Sequence, residues 1–292
     1  VLREGAEREA SLKHAYKLLA VDLDGTLLRH DGSVHEADAR AIQRLSAAGI
    51  PVSIVTGRLF SGSREAAQRA RIAGPIACVD GSHIVDTRTG AEHLHQTIGG
   101  DAAGALCDIV GEHSVASFLF AQDAIVHDDS GAPFSPYVRT WSTNIFGVER
   151  VTRHPFWTHA RGVLGVVSVG PEAAIGAMVA RIRAELHEKA AVVSFPVARH
   201  AGLSALVVRA AGVTKGTAIE FLARHHGCSV HEVVVVGDWL NDVPMFRVAG
   251  RSFVMGQAPA EVKRAATDEL TCDTATGGGV AEAIDRIWGS AL

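Results

Sequence analysis

The sequence predicts an α/β protein: a parallel-sheet core with a second α/β unit inserted into it. Three observations carry this. Short, wholly apolar runs ending in polar or turn residues stand at both ends of the chain, as buried parallel strands do. Segments of helical period lie between them, and the middle of the chain carries its own set of strands and helices. At 292 residues the chain is long enough for two domains of moderate size.

In chain order, the polar opening VLREGAEREASLKH lacks the apolar core of a signal peptide and reads as an extension over residues 1–15. The first buried strand is LLAVDLDG (18–25). The segment SVHEADARAIQRLSAAG then predicts a helix, with Ser33 and Glu36 at capping-box spacing and Gly49 at the C-terminal cap. The runs PVSIVTG (51–57) and PIACVDG (75–81) follow as strands. From about Thr87 to His200 the material changes, with HLHQTI, SVASFLFAQDAIV, VLGVVSVG and AAVVSFPVA as strands. DAAGALCDIVGEH and PEAAIGAMVARIRAELHEK are the helices between them. The first style returns with the helix KGTAIEFLARHHG (215–227) and the strands EVVVVGD (232–238) and RSFVMG (251–256). The expected division is therefore a core from 16–86 and 201–292 and an inserted α/β unit from 87–200.

Composition excludes several classes. A formal charge of −4 without a basic stripe argues against nucleic acid as a partner. No run of about 18 uncharged apolar residues suggests a membrane span. Cys78, Cys107, Cys228 and Cys272 form no C-x-x-C pair, and read as free thiols in a reducing, cytoplasmic setting. The 15 histidines offer no zinc spacing with ligands that can be placed.

The chemistry concentrates at the ends of the core strands. Asp22 and Asp24, two residues apart at the end of a buried strand, are expected to share one face of it. Two carboxylates that close are costly unless a cation or water offsets them. In parallel sheets ligands gather beyond the carboxyl ends of strands, where Thr56 and Asp238 also stand. With Lys215, Asn241 and Asp242 they make an acidic pocket with one cation, suited to a hard divalent metal and a phosphate, with magnesium the natural occupant. Taken alone, Thr56 reads as a cap for the next helix, Asp242 reads as readily as an N-cap before Pro244 as a residue near the metal, and Arg58 reads as covering the sheet edge, with substrate contact the alternative.

The stretches DLDGTLL, SIVTGR, GVTKG and GDWLNDVPMF resemble the four motifs of the haloacid dehalogenase-like phosphotransferases. The tail APAEVKRAATDELTCDTATGGGVAEAI resembles the close of that family's Cof-type branch. The resemblance implies a Rossmann-like core with an α/β cap between the second and third motifs. It implies Asp22 as nucleophile and Asp24 as general acid and base. Mg2+ would be held by Asp22, the backbone carbonyl of Asp24, and Asp238. Phosphate would be bound by Thr56, Gly57, Lys215 and Asn241, with Asp242 orienting metal-bound water. The implied activity is magnesium-dependent hydrolysis of a small phosphate ester, such as a sugar phosphate, through an aspartyl phosphate, in a monomer or homodimer. A phosphomutase and a noncatalytic phosphate sensor are the alternatives. The chain departs from the branch at Asp80-Gly81-Ser82, where Asn-Gly-Ala is common, and at Trp239, where a small residue is common. Asp80 is expected as a turn residue facing the cap hinge.

Overall fold

A computed structural model describes residues 16–197 and 200–289. The extension expected over 1–15 lies outside the described residues. The described chain packs as two compact units. The first comprises residues up to Gly57, Ser63–His93 and Thr214 onward; the second comprises Arg58–Gly62 and Leu94–Val213.

With strands numbered along the whole chain, the first unit centres on a five-stranded parallel sheet. It runs Asp268–Glu269 (β14), Arg251–Val254 (β13), Val233–Gly237 (β12), Leu18–Val21 (β1), Val52–Ile54 (β2). β1 and β12 are buried at every position, which is why both read as unbroken apolar runs. Their register pairs Val21 with Val236, so Asp22 and Asp238 leave adjacent strands at the same sheet edge. PIACVDG, expected as a strand of this sheet, instead supplies Pro75–Cys78 (β3), which pairs antiparallel with His83–Asp86 (β4). A third strand, Glu92–His95 (β5), completes that small sheet, and a single parallel bridge, Val55 to Ala77, links β3 to the end of β2.

The helix Glu36–Ala47 (α1) follows β1 as expected, with Gly49 at φ 83° after its last turn. Its cap is not Ser33: the Nδ1 of His35 accepts from the amide of Ala37 at 3.2 Å, while Ser33 bonds to Asp31. Phe60–Arg69 (α2) comes next, its first residues belonging to the second unit.

The second unit is built on six strands. They are Ala116–Ala121 (β6), Ala124–His127 (β7), Ile145–Gly147 (β8), Gly165–Pro171 (β9), Ala190–Pro196 (β10) and Leu203–Ala210 (β11), ordered β10-β11-β9-β6-β7-β8. The β6–β7 hairpin turns through Gln122 and Asp123, both at positive φ (50° and 59°), the twist a two-residue hairpin requires. Gly100–Glu112 (α3) and Glu172–Leu186 (α4) bury Leu106, Ile109, Met178 and Ile182 against Leu119 and Leu206 of the sheet. Leu203–Ala210 corrects the expected boundary. The expected boundary at residue 201 places it in the core, but it is hydrogen-bonded on both sides, to β9 and β10, so the second unit extends to Val213.

Besides a single helical turn at Ala260–Lys263, the first unit also carries the helices Lys215–His225 (α5), Val243–Val248 (α6) and Gly279–Trp288 (α7). α5 opens on a capping box, Thr214 and Thr217, which fixes where Lys215 enters the sheet edge. α7 starts at Gly278 without a cap of its own. Asp38 of α1 supplies one, its carboxylate accepting from the amides of Ala281 (2.7 Å) and Gly278 (3.1 Å).

Candidate active site

β1 ends at Val21, and the chain then turns instead of continuing. Leu27 and Leu28 donate back to the carbonyls of Asp22 and Leu23, and Gly25 takes φ 87°. Asp22 and Asp24 therefore do not share a strand face: Asp22 is buried and Asp24 is exposed. Gly25 is required twice over. Its positive φ favours glycine, and a Cβ there would run into the Asp238 carboxylate. The turn is clamped from the far end of the chain, because the Gly25 carbonyl accepts from the Gln257 side-chain amide (2.6 Å) and the Thr274 hydroxyl (3.2 Å).

Lys215 is the hub. Lys215, 1% exposed as a residue, donates through its ammonium to Asp22 Oδ1 and to Asp242 Oδ1, both at 2.6 Å. Asp242, fully buried, uses its other oxygen to accept from the amides of Asp238 (2.8 Å) and Trp239 (2.9 Å). It thereby caps the short turn it closes, while making no side-chain cap to α6. Asp238 accepts from the Thr26 hydroxyl at 3.4 Å and the Gln257 amide at 3.3 Å. The absence of a Cβ at Gly237, which would meet Asp242 at 2.5 Å, lets this loop fold so tightly.

The charges are unbalanced. Burial alone would pull the Lys215 ammonium down, but Asp22, Asp242 and Asp80 outweigh it and hold its pKa above the ordinary value. Burial pushes Asp22 well up, with Asp242, Asp238 and Asp24 adding to it against Lys215. Burial and Asp242 push Asp238 up to about 7. One oxygen each of Asp22, Asp238 and Asp242 lies within 4.8 Å of the others. Three buried carboxylates face one ammonium, so an oxygen-binding divalent cation fits both the donor chemistry and the charge excess. With both its oxygens engaged, Asp242 fits bracing better than ligation.

Thr56 is buried at the end of β2, its amide on Ala77 O (2.9 Å), with Gly57 beside it. Arg58 belongs to the second unit, where its guanidinium donates to Gly62 O at 3.1 Å. Asn241 Nδ2 donates to Asp80 Oδ1 at 3.0 Å. Asp80 is thus more than a turn residue facing a hinge, because its side chain reaches into the cluster of the first unit. Thr26, expected from sequence to brace the loop after Gly25 by hydrogen bonding, bonds to Asp238, and the structure adds Gln257 and Thr274 to the residues read from sequence. Only the resemblance of the tail pointed near the last two, with no signal for their contacts to Gly25.

The family model for haloacid dehalogenase-like hydrolases matches residues 19–284. The 5-amino-6-(5-phospho-D-ribitylamino)uracil phosphatase YcsE of Bacillus subtilis is 25% identical over 272 residues, covering 93% of this chain and 95% of that protein. The HMP-PP phosphatase of Cronobacter sakazakii is 24% identical over 242 residues, covering 83% and 85%. Among solved structures, a haloacid dehalogenase-like hydrolase from Bacteroides thetaiotaomicron superposes with a TM-score of 0.78 at 22% identity, covering 93% of this chain and 99% of that one. With the family model spanning almost the whole described chain, the protein belongs to the haloacid dehalogenase-like hydrolases.

Proposed function

We propose that this chain is a magnesium-dependent phosphatase of a small phosphorylated metabolite, working through an aspartyl phosphate on Asp22. The observation that carries the reading is the buried Asp22–Lys215–Asp242 chain at the edge of β1, with Asp238 beside it. The phosphatases of Bacillus subtilis and Cronobacter sakazakii named above support the reaction class.

In this reading Asp22 attacks phosphorus in line, forming the acyl phosphate as the ester oxygen departs. Asp24, whose side chain is exposed, gives a proton to that oxygen. Water then attacks the same phosphorus and returns a proton to Asp24, releasing phosphate and restoring both carboxyls. Lys215 keeps Asp22 aimed and offsets phosphate charge, while Asp242 fixes the ammonium between two oxygens. Thr56, Gly57 and Asn241 would hold phosphate oxygens. Asp22, Asp238 and the carbonyl of Asp24 would hold Mg2+, which when bound offsets the repulsion between nucleophile and phosphate.

The test is release of inorganic phosphate from a panel of phosphorylated metabolites, with and without Mg2+, by the wild-type chain and Asp22→Asn. The reading expects magnesium-dependent release that the substitution abolishes. No release from any ester, or an isomeric phosphate accumulating in place of free phosphate, would count against it.

A further inference from the structure

We propose that Asp80 sets the site's affinity for phosphate: it holds the Asn241 amide in place, and its fixed negative charge weakens retention of the phosphate dianion. This rests on the phosphatase reading, and deepens it. Four observations place the carboxylate.

Val79, Asp80 and Gly81 are consecutive residues at positive φ (52°, 57° and 111°). Two of them carry side chains and one is β-branched, a conformation that persists only where the surroundings impose it and that clusters at functional sites. The loop is pinned from both sides. The Asp80 amide donates to Thr56 O at 2.9 Å, and Gly81 lies so close to α5 that a Cβ would meet Thr214 O and Ala218 Cβ, each at 3.1 Å. The Asp80 carboxylate then rests beside Gly57, where a Cβ would come 3.4 Å from Oδ1, and accepts from Asn241 Nδ2. Its charge also reaches Lys215, being among those that hold the ammonium above its ordinary pKa.

Asp80 therefore stands among Thr56, Gly57, Lys215 and Asn241, the four residues assigned to phosphate. A carboxylate there draws on donors that a phosphate would use, and repels the dianion directly. An uncharged amide of the same shape would keep the bond from Asn241 without the repulsion.

The test is calorimetric titration of inorganic phosphate into the wild-type chain, Asp80→Asn and Asp80→Ala, in the presence of Mg2+. Asp80→Asn should bind phosphate about tenfold tighter or more, with the difference shrinking as salt is added. Asp80→Ala should gain less, because Asn241 loses its anchor. In turnover, Asp80→Asn should lower KM and the inhibition constant of phosphate by similar factors. Equal or weaker phosphate binding by Asp80→Asn, or no phosphate binding by any of the three, overturns the proposal. Because the titration needs no turnover, it reads Asp80 even if no ester is hydrolysed, which would sink the phosphatase reading instead.

Discussion

Replacing Lys215 by methionine keeps most of the side chain's volume and removes only the ammonium, leaving Asp22 and Asp242 buried at 4% and 0% exposure with their shared partner gone. Removing one member of a buried ion pair costs roughly 3–5 kcal/mol, because the charge left behind has neither water nor a counterion. Against a total stability of about 5–15 kcal/mol, the variant should still fold but with a much lower urea midpoint. The loss also has a pH signature. Asp22 in the folded chain already has a pKa raised above its unfolded value near about 3.9, and removing Lys215 takes away the influence opposing that rise. A carboxyl whose folded pKa is raised is penalised in full above that pKa, and the penalty fades as pH falls toward the unfolded value. The deficit of Lys215→Met should therefore be largest near pH 8 and shrink toward pH 5, by at most about 1.4 kcal/mol per pH unit and group. Urea unfolding followed by circular dichroism at both pH values checks this. A deficit below about 1 kcal/mol at pH 8, or one independent of pH, would refute the placement of Lys215 as the counterion of two buried carboxylates.

Three further outcomes follow from the geometry. Asp38→Ala, which strips two amides at the start of α7 of their acceptor, should cost about 1–3 kcal/mol in a melting experiment, and Asp38→Asn less. Gly25→Ala should abolish activity and divalent-cation binding, since its Cβ collides with the Asp238 carboxylate; isothermal titration with Mg2+ reads the second effect directly. Because Asp238 is pushed up to about 7, a cation must displace a proton below that pH, so Mg2+ affinity should fall as pH drops from 8 to 6 with proton uptake by the buffer.

The strands of the first unit were legible because β1 and β12 are buried on both faces, so their apolar runs are uninterrupted and end where polar residues begin. An apolar run does not say which sheet it joins, and for that reason the sequence leaves hidden that Leu203–Ala210 pairs within the second unit and that PIACVDG supplies a strand of the small antiparallel sheet. Helix positions followed from period, but capping depends on side-chain geometry, so His35 displaced Ser33 at α1 and Asp38 capped a helix more than two hundred residues away. In the site, residue types at strand ends pointed to Asp22, Thr56 and Asp238, and the start of the helix after GVT to Lys215. What sequence could not give was the partner of each group. The division of Asp242 between Lys215 and two loop amides, and the reach of Asp80 to Asn241, are contacts over long sequence separations. The separation of Asp22 from Asp24 was likewise hidden, because strand geometry was extended through a turn.

In the proposed mechanism Asp22 carries the phosphoryl group. Acid quench during turnover with Mg2+, followed by mass spectrometry of the digested chain, tests it most directly. A phosphoryl group on the peptide bearing Asp22, absent from Asp22→Asn and absent without substrate, is the predicted result. Turnover without a modified Asp22 at any quench time, together with full activity in Asp22→Asn, would contradict it.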